Sequence, residues 1–381
     1  MNSENKTKIV AAVKCPDYSP DQVANAVAEI FDLASGNEPI VKPGSTILVK
    51  PNLLSPRAPG EAVTTHPVVV KAVVAYCFQA GAGRVWIGDS CAGEHPDERL
   101  WEMTGMRQVA SDSGAELKSF QTNVEARTCG NTQVPVPAWL AEVDAWISVP
   151  KLKTHTLTVL TCAVKNTYGM VSGSVKSYYH GQYTSPHSMS RFLLQVHEAL
   201  RPAFIVVDAV TAMEGSGPAN GDPVSVGLLM GGSDALAVDT VCAPVFKSRP
   251  RQIPTLRAAM DRDPACLDNI VIRGDGTRIL ADARLKPSLG RFLQRLPEAT
   301  FQLATAILAC HPQINADKCV GCGVCAKICS QNAITQVPGA RKYTVDKKRC
   351  IICMCCAEAC PYNAVEVKSP LRFLRGGRRS K

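Results

Sequence analysis

Between residues 319 and 361 the chain places cysteines at spacings suited to soft metal. Cys319, Cys322, Cys325 and Cys329 form one C-x2-C-x2-C-x3-C run; Cys350, Cys353, Cys356 and Cys360, closed by Pro361, form a second. Three thiolates on a tight loop can grip three irons of a cubane, and the fourth iron takes its ligand from elsewhere. Where two such runs occur together, the fourth cysteine of each ligates the other cluster. The spacing therefore predicts two [4Fe-4S] clusters. One is on Cys319, Cys322, Cys325 and Cys360, the other on Cys350, Cys353, Cys356 and Cys329. Such centres move electrons.

Gly321 and Gly323 let backbone N–H groups turn toward cluster sulfides. The repeat extends beyond the cysteines, because Asn332-Ala-Ile334 answers Asn363-Ala-Val365. A pseudo-two-fold module of the bacterial ferredoxin type requires such a repeat. The alternative, a pair of zinc knuckles, would pair two C-x2-C units rather than runs of four. Ser330 stands where the motif usually has proline, and Cys355 is a ninth local cysteine, either a spare thiol or a competitor for Cys356.

A second concentration of reactive side chains lies upstream, at Lys151-Leu-Lys153-Thr-His155, Lys165-Asn166, Lys176 and His180. Lysines at a strand edge make point-charge sites for carboxylate or phosphate. A histidine among cations has its pKa pushed down, which leaves neutral imidazole as ligand or base. Three readings stand side by side: an anion site, a metal site using His155 or His180, and a solvated face. Glu214-Gly215-Ser-Gly217-Pro-Ala-Asn-Gly221-Asp222 adds a loop whose backbone can approach a ligand closely. It is not a Walker loop, and Gly81-Ala-Gly83 is not a complete dinucleotide fingerprint. Bound nicotinamide, flavin or ATP is not expected.

The elements that must position these groups alternate. Apolar runs at 7–13, 44–50, 84–89, 145–149, 203–208, 224–230 and 269–272 read as strands. Helices are predicted from Ser19 to Leu33, from Thr65 to Gly81, around 99–111 and from Asp234 to Phe246, with two more between 149 and 203. That alternation predicts an α/β fold, a largely parallel sheet with helices on both faces, followed by a small α+β two-cluster domain. In such sheets ligands collect beyond the carboxyl ends of the strands. Lys50-Pro51-Asn52, Gly88-Asp89-Ser90, Pro150-Lys151 and Asp208 all follow strands. The expected division is an α/β domain over 1–286, an amphipathic connecting helix within 287–310, a ferredoxin domain over 311–368 and a basic tail over 369–381. The helix, from Leu289 to Ala309, is expected to pack the ferredoxin against the large domain, or else to lie on a membrane surface.

With 381 residues the chain can hold two or three domains. Eight of its 17 cysteines serve the clusters, and scattered single cysteines suit a reducing compartment. The polar start and the lack of an 18-residue apolar run predict no secretory leader and no transmembrane segment, hence a cytoplasmic protein of low-oxygen habitats. Formal charge is +9; two oxidised clusters of about −2 each bring it to about +5. The basic tail (Arg372, Arg375, Arg378, Arg379, Lys381) is solvated or touches an acidic partner or membrane surface. No nucleic-acid module accompanies the charge.

Val49-Lys-Pro-Asn-Leu53, Thr64-Thr-His-Pro67, Gly88-Asp-Ser90, Lys153-Thr-His155, Val164-Lys-Asn166, Met213-Glu-Gly-Ser-Gly-Pro218 and Asp234-Ala-Leu-Ala-Val-Asp239 occur in that order. Together they resemble the domain-of-unknown-function family 362 over roughly residues 7–285. Members often end in a two-cluster ferredoxin module. The family is also distantly similar to the amino-terminal domain of nickel-pincer lactate racemases, which bind anionic hydroxy acids and use histidines; that likeness of fold assigns no residue here. The expectation is an oxidoreductase whose α/β domain binds an anionic small molecule and exchanges electrons through the clusters, served by a ferredoxin, flavodoxin or reductase. His155, Lys153 and Lys165 are the candidate catalytic residues, with His155 as proton donor. Lys50, Asn52, Lys151, Asn166, Gly215 and Gly217 are the candidate substrate-binding residues. The alternatives are a non-enzymatic carrier or scaffold, and a metal-dependent isomerase-like domain with an accessory ferredoxin.

Overall fold

In β1 (Lys8–Lys14) alternate side chains part to opposite sides of a sheet. Val10 and Ala12 join one apolar core, Ala11 and Val13 another. The same period of two sends Phe204 and Val206 one way, and Ile205 and Val207 the other. A sheet buried on both faces needs helices on both, and the computed structural model has them. It describes residues 7–36, 38–288, 291 and 311–367. The proposed connecting helix 289–309 and the basic tail 369–381 lie outside the described residues, Arg291 excepted.

On the first face lie the helices Pro20–Ala34 and Pro67–Gln79. The former buries Val23, Ala26, Val27, Ile30, Phe31 and Ala34, a stripe at helical spacing. Burying a side chain the size of Ile30 or Phe31 stabilises by about 1.5–3 kcal/mol. Pro67 starts the second helix, and the preceding His66 caps it by accepting the Val68 N–H at Nδ1, 3.3 Å away. The stretch read as one helix around 99–111 is two, Asp97–Thr104 and Met106–Ser113, because Gly105 takes φ 77° between them. The other face is covered by Pro186–Ala199, Ala235–Cys242 and Pro254–Arg262.

The other strands of this part are β2 (Thr46–Pro51), β3 (Arg84–Ile87), β4 (Glu116–Leu117), β5 (Val124–Cys129), β6 (Thr132–Pro137), β7 (Ala145–Val149), β8 (Lys151–His155), β9 (Val159–Thr161), β10 (Phe204–Glu214), β11 (Asp222–Gly232) and β12 (Ile270–Arg273). The sheet runs β12-β1-β11-β10-β7-β2-β3-β4. Along it only the pairings of β11 are antiparallel; β5 and β6 form a separate hairpin. The largely parallel α/β architecture is as the alternation predicted.

One element departs from expectation. The segment Lys151–His155 was expected to follow a strand, with helices next. It is itself a strand, β8, with all five residues buried. Pro150 has no N–H for the ladder, so β7 ends before it; its carbonyl still accepts from Asp208 N at 2.9 Å. β8 then runs parallel beside the far half of β10, with Lys151 opposite Asp208 and Lys153 opposite Met213, and turns back antiparallel into β9.

The cysteine-rich part repeats itself in space. β13 (Pro312–Ile314) pairs with β16 (Val365–Val367), and β14 (Ile334–Gln336) with β15 (Tyr343–Val345), both antiparallel. Short helices Val324–Lys327 and Cys355–Ala359 follow the metal loops. Positive φ recurs at matching positions: Gly321 and Ile352, Gly323 and Met354, Asn332 and Asn363. Glycine adopts this conformation freely, whereas Ile352 holds it at a steric cost. Ala359 meets the α/β part directly, its carbonyl 2.9 Å from His95 Nε2. Asn220 Nδ2 donates to the Val365 carbonyl at 2.7 Å. Among the described residues no helix is long and apolar enough to cross a membrane.

Candidate functional site

The eight cysteines of the two runs line two chambers. Cys319, Cys322, Cys325 and Cys360 border one, with Val320, Tyr343 and Tyr362 around them. Cys329, Cys350, Cys353 and Cys356 border the other, joined by Cys355. Each set of four takes three thiols from one run and the fourth from the other. The donor sets therefore suit cubane clusters with exchanged fourth ligands. Ala333 N–H donates to Cys329 Sγ at 3.2 Å, and Ala364 N–H to Cys360 Sγ at 3.3 Å. Hydrogen bonds of this kind to cluster sulfur set the reduction potential. Burial, reinforced by the neighbouring thiols Cys360, Cys322 and Cys319, pushes Cys325 up to about 12. Bound iron reverses that balance and takes the thiolate form.

A third cavity lies where the two parts meet. It encloses about 660 Å³, its open mouth included. A small polar molecule fits and a dinucleotide does not. Its walls come from β8 (Lys153, His155), from the turn after β9 (Lys165, Asn166, Tyr168), from the helix Val175–Gln182 (Lys176, His180) and from the ends of β2 and β3 (Asn52, Asp89). The cysteine-rich part contributes Ile328, Cys355 and Glu358.

Of the residues expected to bind or act, Lys153, His155, Lys165, Asn52 and Asn166 line this cavity. Lys50 and Lys151 do not. Lys50 Nζ pairs with Asp89 Oδ1 at 2.7 Å, and Lys151 Nζ with Asp208 Oδ2 at 2.9 Å, all four side chains buried. Lys151 also donates to Tyr18 OH at 2.8 Å. A lysine enclosed in apolar sheet must be paired, and these two hold the fold rather than a ligand. Gly169 sits so close to the Lys50 pair that an added Cβ would lie 2.2 Å from Asp89 Oδ1. Gly215 and Gly217 are also elsewhere. Gly217 N–H donates to Thr154 Oγ1 at 3.2 Å and its carbonyl accepts from Thr156 N, so the loop pins β8 instead of closing over a ligand; Pro218 alone of its residues touches the cavity.

Electrostatics divides the cavity residues into roles. Burial lowers Lys153 to about 7, partly offset by Glu358; its Nζ donates to the Val63 carbonyl at 2.6 Å. Burial, with the charge of Lys165, lowers His155 to about 4. His155, expected as the proton donor, is therefore neutral near pH 7 and has no imidazolium proton to give. Its Nδ1 accepts N–H from Leu157 and Thr158, so the neutral ring carries its hydrogen on Nε2, facing Glu358 Oε1 at 3.2 Å. Burial alone would raise Glu358, but the His155 contact and the Lys165 ammonium outweigh it and hold it near 2. Burial takes His180 to about 4 and Lys176 to about 8. Lys176 donates to both Ser90 Oγ and the Ser90 carbonyl at 2.6 Å.

Three buried polar atoms in these walls, Asn52 Oδ1, Thr161 Oγ1 and His180 Nδ1, have no hydrogen-bond partner among the described residues. His155 Nε2 and Glu358 Oε1 are close but misaligned, and neither completes a hydrogen bond. Unsatisfied buried polar atoms are costly, and these five belong to residues that line one cavity. Sequence reasoning missed Glu358, which reads as a spacer between Cys356 and Cys360. It placed Asp89 correctly at a strand end but did not foresee that this carboxylate pairs with Lys50.

A 4Fe-4S dicluster domain matches residues 318–364, so the cysteine-rich part is an iron–sulfur-binding ferredoxin module. A thylakoid-associated protein of Synechocystis sp. is 29% identical over 264 residues, 66% of this chain and 78% of that one. The solved lactate racemase apoprotein of Thermoanaerobacterium thermosaccharolyticum overlays 65% of this chain and 59% of its own with TM-score 0.42 at 11% identity. A Thermotoga maritima protein of solved structure covers 53% of each chain with TM-score 0.36, also at 11% identity. The walls contributed by β2, β3, β8 and β9 all fall within residues 47–244, the stretch that matches the family described as Domain of unknown function (DUF362), and the chain belongs to that family.

Proposed function

We propose that the chain is an oxidoreductase in two parts, residues 1–286 binding an anionic small molecule and residues 311–368 carrying two [4Fe-4S] clusters. The observation that carries this reading is the position of Cys355. It lines both the cavity and the chamber of Cys329, Cys350, Cys353 and Cys356. One residue thus separates ligand space from cluster space. When bound, the clusters supply or accept electrons one at a time, replenished by an external one-electron carrier.

The chain's own residues would do the rest. Lys165 and Lys176 give the cavity positive charge for an anionic group, and Asn52 and Asn166 orient it. A reductive step needs a proton as well as electrons. Lys153, with a pKa of about 7, carries a proton it can release near neutrality. Positioned proton donors contribute about 10²–10⁴-fold. His155 holds a fixed N–H toward Glu358 and orients rather than titrates. Burial of Lys153 and His155 in the sheet strengthens these interactions.

The test uses anaerobically purified holoprotein and a panel of small mono- and dicarboxylates and phosphate esters. Thermal shift finds binders, and electron paramagnetic resonance of the reduced clusters reports proximity. A binder that perturbs one cluster spectrum, and loses affinity in Lys165→Ala, supports the reading. If no anion binds, the carrier reading replaces it. If a bound anion isomerises with no change in cluster oxidation state, the isomerase reading does.

A further inference from the structure

The two cluster chambers face different surroundings. Of the eight ligand cysteines Cys322 alone is exposed, and its chamber is bordered by Val320 and Tyr362, both exposed apolar side chains. The other chamber adjoins the cavity through Cys355, and its Ser330 and Gln331 lie against Gly181 of the α/β part. One centre therefore looks outward and one inward.

The outward rim carries cations. Arg341 packs its backbone on the Gly321 loop, with exposed Lys342 beside it. Arg99 donates to Tyr362 OH at 3.0 Å, its guanidinium 5.3 Å from the ring centre. Lys318, next to Cys319, pairs with Glu366 at 3.0 Å; Asp317 is the other acid beside it. Across residues 311–367 seven Lys and Arg stand against four Asp and Glu, and one of those four, Glu358, is buried against His155. The loaded protein as a whole keeps a charge of about +5. An exposed apolar patch ringed by cations suits a partner with an apolar centre and an acidic rim.

We infer that the surface around Cys322, formed by Val320, Tyr362, Arg99, Arg341 and Lys342, docks a small acidic one-electron carrier protein of the ferredoxin kind. Electrons then pass between that carrier and the Cys319, Cys322, Cys325 and Cys360 centre, and between the second centre and the cavity. Each transfer moves one electron, the carrier being oxidised as the outer centre is reduced. This inference rests on the electron-transfer reading above, but not on which molecule the cavity holds.

The test pairs anaerobic holoprotein with a purified acidic two-[4Fe-4S] ferredoxin. Binding is measured by calorimetry at low and at physiological salt, and cluster reduction by stopped flow, with dithionite as the small reductant. Arg99→Glu and Lys342→Glu, singly and together with Arg341→Glu, should weaken binding and slow reduction by about tenfold at low salt. Iron content and reduction by dithionite should stay unchanged. Lys347→Glu, beside Cys350 of the inner centre, should leave all readouts as they were. Docking that is indifferent to salt and to the rim charges, or as sensitive to Lys347→Glu, overturns the assignment. Should the triple variant lose iron, the single variants decide. Failure to find a cavity ligand leaves these measurements intact, so the two readings fail separately.

Discussion

His155 Nε2 and Glu358 Oε1 stand 3.2 Å apart across the junction of the two parts, both side chains buried. The histidine belongs to β8 and the glutamate to the helix Cys355–Ala359 of the cysteine-rich part. Glu358 is also the charge that most supports the Lys153 ammonium. Glu358→Gln keeps the shape and removes the charge. It should cost about 1–3 kcal/mol in denaturant unfolding of the holoprotein. It should also move the Lys153 titration below its present value of about 7. Unchanged values of both would show that this contact does not link the parts.

The Lys50–Asp89 pair is a structural element buried beneath the cavity. Lys50→Met strands a buried carboxylate and should destabilise by about 3–5 kcal/mol. Asp89→Leu in the same chain should recover part of that loss, since two apolar groups leave no orphan charge. Gly169→Ala should destabilise too, because its Cβ would fall 2.6 Å from Lys50 Nζ. Denaturant midpoints of the parent, Lys50→Met, Asp89→Leu, their double variant and Gly169→Ala check the set; an additive double variant would contradict a coupled pair.

Stability should fall as pH drops from about 6.5 to 4. Burial, with Arg201 nearby, lowers His197 to about 4, and His155 and His180 share that value. In this window the unfolded chain binds protons that the folded one refuses, so each proton taken up favours unfolding. One such histidine accounts for about 2 kcal/mol at pH 5 relative to pH 7. His197, whose Nδ1 lies 2.9 Å from Thr167 Oγ1, lines neither the cavity nor either cysteine chamber. His197→Gln should flatten the pH dependence of the denaturant midpoint by that amount; an equally steep profile would rule out the buried neutral form.

Anaerobic protein should contain about eight irons and eight acid-labile sulfides. Cys322→Ser should lose one cluster in preference to the other. Cys355→Ser should keep the full iron count, because four other thiols already line its chamber. A fall to half the iron in Cys355→Ser would make Cys355 the ligand in place of Cys356.

The iron–sulfur module was legible in the sequence because a cubane imposes short, fixed cysteine spacings on one loop, and loop spacing is local. The sheet was legible for a similar reason. Strands such as β2 and β10 carry apolar runs, Ile47–Val49 and Phe204–Val207, and an alternation of strands with helices leaves few arrangements. The cavity was legible only in outline. Lys153, His155 and Lys165 carried the signal of clustered charge, but Lys50 and Lys151 carried the same signal and were neutralised by Asp89 and Asp208. Those partners are 39 and 57 positions away, so only the tertiary structure decides which lysines are free. β8 was hidden for the same reason. Lys-Leu-Lys-Thr-His lacks the apolar pattern of a buried strand, and it becomes one because Lys151, Lys153 and Thr154 find partners elsewhere in the fold. Glu358 shows the limit most plainly: its meaning comes from His155, more than two hundred residues earlier, and from the packing that brings the two together.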